Sequence, residues 1–131
     1  PPEKCVASLN THDMPPYRAF LDGLDIDDRV KLGLIDEKIA RKEHRQRAKM
    51  RSVLKGKSPL PFLSESMANI VLANLEDLWE ETLPQNVPAT STERPNWRRR
   101  ARLSLEQIRR LAGIAEVLSH VFAQRSRSLP L

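Results

Sequence analysis

Two short apolar runs stand out against longer stretches of helical period. The first, near 4–10, holds Cys5, Val6, Ala7 and Leu9; the second, near 69–75, holds Ile70, Val71 and Leu72 in unbroken succession. Short apolar runs bounded by polar residues read as strands covered on both faces, although Leu and Ala keep a helix open for the second. Between them, Val30, Leu34, Ile35 and Ile39 recur at helical spacing behind the capping-type residues Asp25, Asp27 and Asp28. This predicts one helix running on through a basic stretch to about Leu54, a helical excursion over 28–55. Gly56, Pro59 and Pro61 end it, and "FLSESMA" reads as a short helix ahead of Asn69.

The last third changes character. The stretch 84–97 contains Pro84, Pro88 and Pro95 among hydroxyl residues, which is loop chemistry of a length that ordered domains keep for function. Ser104 and Gln107 then form a capping-box pattern opening the closing helices, 104–125. Leu105, Ile108, Leu111, Ala115, Leu118 and Phe122 trace an apolar stripe along them, with Gly113 as the expected division. The segment 126–131 is expected to lack structure.

Composition adds that 131 residues, 40% of them hydrophobic, suffice for one modest domain. Few glycines and abundant Leu, Ala, Arg, Lys and Glu favour helix. The chain begins at Pro1-Pro2 without a methionine and shows neither a leader pattern nor an apolar run of membrane length, so it reads as a cut piece with no membrane partner. The lone Cys5 excludes an internal disulfide and fits a reducing, cytoplasmic setting. The net charge of +5 is segmental: 40–57 and 96–102 are basic, whereas 22–28 and 76–81 are acidic.

Both apolar runs end in chemistry. The first stops at Thr11-His12-Asp13, followed by Pro15-Pro16, which argue against a helix just beyond; the second is followed by Glu76 and Asp77. Strand, polar end, helix, strand, polar end, loop, helix is the order of parallel β/α units, whose functional residues sit where strands run into loops. The connection of roughly sixty residues is about twice that of one barrel unit, which implies an inserted excursion. By itself a His-Asp pair is more often a structural hydrogen bond than a site, and Glu76 and Asp77 serve equally as rim residues or helix-capping acids.

Three segments in this order, "LNTHDMPP", "NLEDLWEE" and "PQNVPATSTERPNWRRR", resemble the C-terminal part of bacterial 4-α-glucanotransferases (amylomaltase or disproportionating enzyme, glycoside hydrolase family 77). The resemblance spans 5–102. It implies an α/β fold, helix-rich by residue count: the C-terminal fragment of a (β/α)8 TIM barrel, with strands seven and eight and their helices here and the remainder of the barrel upstream. It implies retaining transfer of α-1,4-glucan segments between maltooligosaccharides, with no cofactor and no metal. Matched to the family motif, Asp13 takes the role of transition-state stabiliser and His12 that of a donor to sugar hydroxyls, while Asn86 falls on the acceptor side. Nothing in the chain matches the motifs of the nucleophile or the acid/base, so the piece alone is expected to be inactive. Pro15 and Pro16 are expected to hold their loop away from the site, and Trp97 to pack against the barrel mouth rather than stack on sugar.

Two rival readings come from the residues alone. The first is a small basic helical module binding nucleic acid through 41–57 and 98–102, against which no aromatic is interleaved with the charges and no helix-turn-helix pattern is seen. Arg98, Arg99 and Arg100 pair more naturally with acids such as Glu76 and Asp77 than with phosphate, so no nucleic-acid partner is expected. The second rival is a metal-dependent hydrolase on His12 and Asp13, for which His44 and His120 lie on predicted helices without partners at ligand spacing.

Overall fold

The computed structural model describes residues 3–54 and 59–128; the expected stop at Gly56 and the tail beyond 128 lie outside the described residues. The described elements are β1 (Val6–Ser8), α1 (Tyr17–Asp22), α2 (Leu24–Lys31), α3 (Glu37–Leu54), α4 (Pro59–Ser64), β2 (Ile70–Leu72), α5 (Leu75–Leu78), α6 (Leu105–Arg110) and α7 (Ala112–Ser128). They fall into two compact units. One gathers the described residues of Pro1–Leu9, Lys57–Trp79 and Arg100–Leu131; the other gathers those of Asn10–Gly56 and Glu80–Arg99. No described helix is long and apolar enough to cross a membrane.

The first unit contains both expected strands, and they pair in parallel: Val6 with Ile70, Ala7 with Val71, Ser8 with Leu72. The polypeptide enters β2 held on both sides. Asn69 N–H donates to Glu3 O at 2.8 Å, and Arg125 of α7 donates to the carbonyls of Ser66 (3.0 Å), Ala68 and Asn69 (3.0 Å). The strands are not covered on both faces as expected. Ala7 alone is buried in β1, and Ile70 and Leu72 each stay 52% exposed, because a two-stranded ribbon flanked by short helices has too little apolar surface to cover it. The buried set is small: Ala7, Leu60, Ala68, Trp79, Ile114 and Ser64, the last with its hydroxyl donated to Pro61 O at 2.6 Å.

The closing helices form with their predicted cap. Ser104 Oγ accepts from Gln107 N–H at 3.3 Å, and Ser104 N–H donates to Gln107 Oε1 at 2.8 Å. The division falls at Leu111, whose ψ of 99° is extended, and Gly113 lies inside α7. The apolar stripe stays outward, with Phe122 74% exposed; the buried residue is Ile114, off that stripe, since the turn at Leu111 rotates α7 relative to the pattern read across both helices. Structure continues to Ser128, two residues past the expected unstructured start at 126. Likewise α4 begins three residues earlier than expected and takes in both Pro59 and Pro61, as first-turn prolines cost a helix no bond.

In the second unit α1, α2 and α3 pack on one another around Ala19, Ile26 and Ala40. Here the expected single helix over 28–55 is two, α2 and α3, and α1 forms ahead of them. Pro16 is the cap of α1, so the prolines start a helix where they were expected to forbid one. Gly23, at φ 75°, joins α1 to α2; a Cβ there would meet His44 Nδ1 at 2.7 Å. The acidic stretch lies within α2 and not ahead of it. α2 ends in a Schellman motif: Gly33, at φ 69°, donates to Val30 O and Leu34 donates to Arg29 O, both at 2.9 Å. Asp36 then restarts the helix as its cap, its carboxylate accepting Ile39 N–H at 2.7 Å.

Opposite charges close this cluster. Arg47 grips Asp25 through two nitrogens (2.9 and 3.2 Å) and lies 3.4 Å above the Phe20 ring. Arg29 pairs with Glu43, Arg51 with Asp22 (3.4 Å), and His44 with Asp27 (2.8 Å). The inner face of the basic helix thus neutralises the acidic segment, and α3 is not wholly outer surface. A module binding phosphate would need those cations free.

Candidate functional site

After β1 the chain makes a tight turn, with Met14 N–H donating to Thr11 O at 3.0 Å. A four-residue turn of this kind puts its two central side chains at the tip, and here they are His12 and Asp13. The buried Asn10 steadies the base, donating to Pro15 O at 3.4 Å. The prolines do the rest by fixing the backbone that leaves the turn and enters α1.

The second contribution comes from the irregular segment between Glu80 and Arg99, which has neither helix nor strand. Its base is closed by charge. Glu81 is buried and accepts the N–H groups of Thr82 (2.9 Å) and Leu83 (3.1 Å). Arg99 pairs with it at 3.2 Å and also donates to the carbonyls of Leu83 and Pro84 (3.5 Å). Burial pushes the Glu81 carboxyl up, but the two backbone N–H groups and the Arg99 guanidinium outweigh it and hold the group below the ordinary carboxylate range. Glu81 partners an arginine of the 98–100 run. Glu76 and Asp77 occupy the first turn of α5 in the other unit, the place of helix-capping acids.

The tip of the loop is tied from inside by Asn96. Its Oδ1 accepts Val87 N–H at 3.2 Å, and its Nδ2 donates to Thr90 O (3.1 Å) and Thr90 Oγ1 (3.0 Å). Trp97 N–H donates to Gln85 O at 2.8 Å, and Arg94 pairs with Asp28 of α2. Side-chain amides here replace the ladder bonds of a sheet. The closure is tight enough to hold Ala89 at φ 65° and Trp97 at φ 60°, left-handed conformations that cost a residue with a Cβ roughly 1–3 kcal/mol.

These two segments bring the predicted residues together. Asn86 Nδ2 donates to Asp13 Oδ1 at 2.7 Å, across 73 positions of sequence. His12 Nε2 lies 3.4 Å from the other carboxylate oxygen, Oδ2. The Asp13 side chain remains 54% exposed and that of His12 67%, so both keep polar capacity for a ligand. A cavity of about 650 Å³ opens beside them, bounded by Asp13, Pro15 and Leu24 on one side and Asn86, Val87 and Pro88 on the other. That size suits a small-molecule ligand. Pro15 therefore lines the cavity and does not hold the loop away from it.

Trp97 is 61% exposed, and its ring stands 5.5 Å from that of His12 at 51°; Trp79, in the other unit, is buried. Among the described residues no group of three or more His, Cys, Asp or Glu gathers as a metal ion would require. His44 turns to Asp27, at 2.8 Å.

A carboxylate steadied by an amide and an imidazole, with an open apolar cavity next to it, can order the hydroxyls of an uncharged polyol. The model of the 4-α-glucanotransferase family, glycoside hydrolase family 77, matches residues 1–105. The chain belongs to that family. Similar proteins include the 4-α-glucanotransferase of Haemophilus influenzae, 24% identical over 122 residues, and those of Mycobacterium bovis and Mycobacterium tuberculosis, each 28% identical over 115 residues. Each alignment covers 73% of this chain but 18% or 16% of the relative, so the chain spans less than a fifth of the length of these glucanotransferases. The family match takes in the turn with His12 and Asp13 and the whole loop carrying Asn86 and Trp97.

Proposed function

We propose that this chain is the C-terminal part of the catalytic barrel of a 4-α-glucanotransferase, contributing strands seven and eight as β1 and β2, and that its second unit carries part of the glucan-binding site. The observation that carries the reading is the Asn86–Asp13 hydrogen bond with His12 on the second oxygen. Parallel pairing of β1 and β2, each running into functional or acidic residues, supports the barrel placement. The excursion 28–55, the loop 84–97 and the helices 104–125 then belong to one domain of the parent.

In a retaining transfer one carboxylate attacks the anomeric carbon while a second protonates the departing glycosidic oxygen; the second then deprotonates the acceptor hydroxyl that displaces the enzyme from the sugar. Both would lie upstream of this chain, and alone it would transfer no glucan. Asp13 would hold hydroxyls of the donor ring. Its charge gains value as the ring turns oxocarbenium-like, and Asn86 keeps the carboxylate aimed without neutralising it. His12 would donate to a neighbouring hydroxyl. The maltooligosaccharide substrate is uncharged, in keeping with a site whose nearby arginines, Arg94 and Arg99, are spent on Asp28 and Glu81.

The test is Asp13→Asn in the full-length protein, with glucose release from maltotriose as the assay. Turnover should fall by about two to three orders of magnitude, as on removal of a single transition-state donor, with KM little changed. Near-normal release would remove Asp13 from the role given to it.

A further inference from the structure

We infer that Trp97 is the aromatic platform of a sugar subsite adjoining Asp13, its indole carrying the apolar face of one glucosyl unit of the glucan. The inference rests on the functional reading above and adds to it a residue that hydrogen-bonding logic alone does not supply. Three observations within the second unit converge on it.

First, Trp97 is 61% exposed, whereas Trp79 is buried. An indole left in water forgoes the largest burial gain of any side chain. Second, its backbone sits at φ 60° and is held there by its N–H bond to Gln85 O at 2.8 Å, next to the Asn96 clip that ties Val87 and Thr90. Strain of this kind persists where the surroundings over-determine a conformation that serves a ligand. Third, the ring is placed beside polar groups of the matching kind. His12 lies 5.5 Å away and reaches Asp13, which Asn86 holds from the other side. A pyranose presents C–H groups on one face and hydroxyls around its rim, so its recognition calls for a flat apolar surface flanked by hydrogen-bonding groups. The ligand class is a neutral pyranose chain; an anionic one would meet Asp13 first.

Such a platform binds substrate and transition state alike, so its removal should appear in KM and not in kcat. In the full-length protein, Trp97→Ala should raise KM for maltotriose about tenfold with kcat within about threefold of wild type, and Trp97→Tyr should restore most of the affinity. A second measurement does not depend on turnover. In an Asp13→Asn background, maltotriose should change the tryptophan fluorescence, and that change should be lost in Asp13→Asn/Trp97→Tyr. Wild-type protein that releases no glucose from maltotriose would defeat the functional reading. An active wild type whose KM is unmoved by Trp97→Ala, or whose fluorescence response survives Trp97→Tyr, would defeat the platform and leave that reading intact. If Trp97→Ala does not fold, the Trp97→Tyr fluorescence comparison decides alone.

Discussion

Replacing Arg47 should loosen the α1–α2–α3 cluster more than any other single surface-derived change. The side chain is only 12% exposed. It makes two bonds to Asp25, donates to the Phe20 carbonyl and covers the Phe20 ring. Removing one partner of a buried pair costs about 3–5 kcal/mol, chiefly because the other charge is left unpaired. Asp25 keeps Arg29 at 3.8 Å, which recovers part of that, so Arg47→Ala is placed near the lower end, about 3 kcal/mol. Arg47→Lys keeps the charge but loses the planar fork, and about 1–2 kcal/mol follows from hydrogen bonds to a charged group. Hydrogen exchange of the α1–α3 amides in the full-length protein reads this directly, since about 3 kcal/mol of lost local stability speeds exchange more than a hundredfold. The effect should persist in about 0.5 M salt, because a buried pair is poorly screened. Acceleration below about threefold for Arg47→Ala would refute the view that this grip, and not apolar burial around Ile26, secures the cluster.

Two more consequences follow from the loop. The depressed Glu81 carboxyl contributes stability that is present above the pKa it has in the unfolded chain, about 4.3, and lost as pH falls through its lower folded value; acid should therefore open the 80–99 loop, and Glu81→Gln should flatten that dependence while costing about 1–3 kcal/mol at neutral pH, both read by exchange at Thr82 and Leu83. Ala89→Gly relieves a left-handed alanine worth roughly 1–2 kcal/mol against about 0.5–1 kcal/mol of added chain entropy, so protection of the loop amides should rise slightly, and a fall would contradict the backbone described at Ala89.

What could be read in the sequence was what is local. The Ser104–Gln107 box forms as predicted because both bonds lie within one turn. The break between α2 and α3 was signalled by Gly33 and Asp36, but Val30, Leu34, Ile35 and Ile39 keep helical spacing straight across it, and periodicity does not register a turn that preserves phase. The exposure of Ile70 and Leu72 is what a two-stranded piece of a larger sheet would show, whereas that of Phe122 could not be read from its stripe. A pattern says which residues share a face, and only the remaining structure says what covers it. The acid and base blocks were visible as blocks; that Asp25 meets Arg47 and Asp22 meets Arg51 depends on the fold of α1 and α2 back along α3. At the site, Asp13, His12 and Asn86 were reachable through the family resemblance, and the structure joins them. Arg99 pairs with an acid as expected, and Glu81 lies in the acidic block; Asn96 went unnoticed, although an asparagine among loop prolines is itself a turn-stabilising signal.

The grip of Arg125 on the residues leading into β2 also orders events in time during synthesis. The guanidinium that binds the Asn69 carbonyl is made 56 residues after it. At about 5–20 residues per second the ribosome needs about 3–11 s to supply it. Throughout that interval the strand has its parallel neighbour β1 but not the clamp on its leading segment, whose carbonyls at Ser66, Ala68 and Asn69 await their donor. A messenger with slow codons between β2 and α7 would lengthen that window, so codon choice over this stretch should govern the soluble yield of the protein more strongly than codon choice after Arg125.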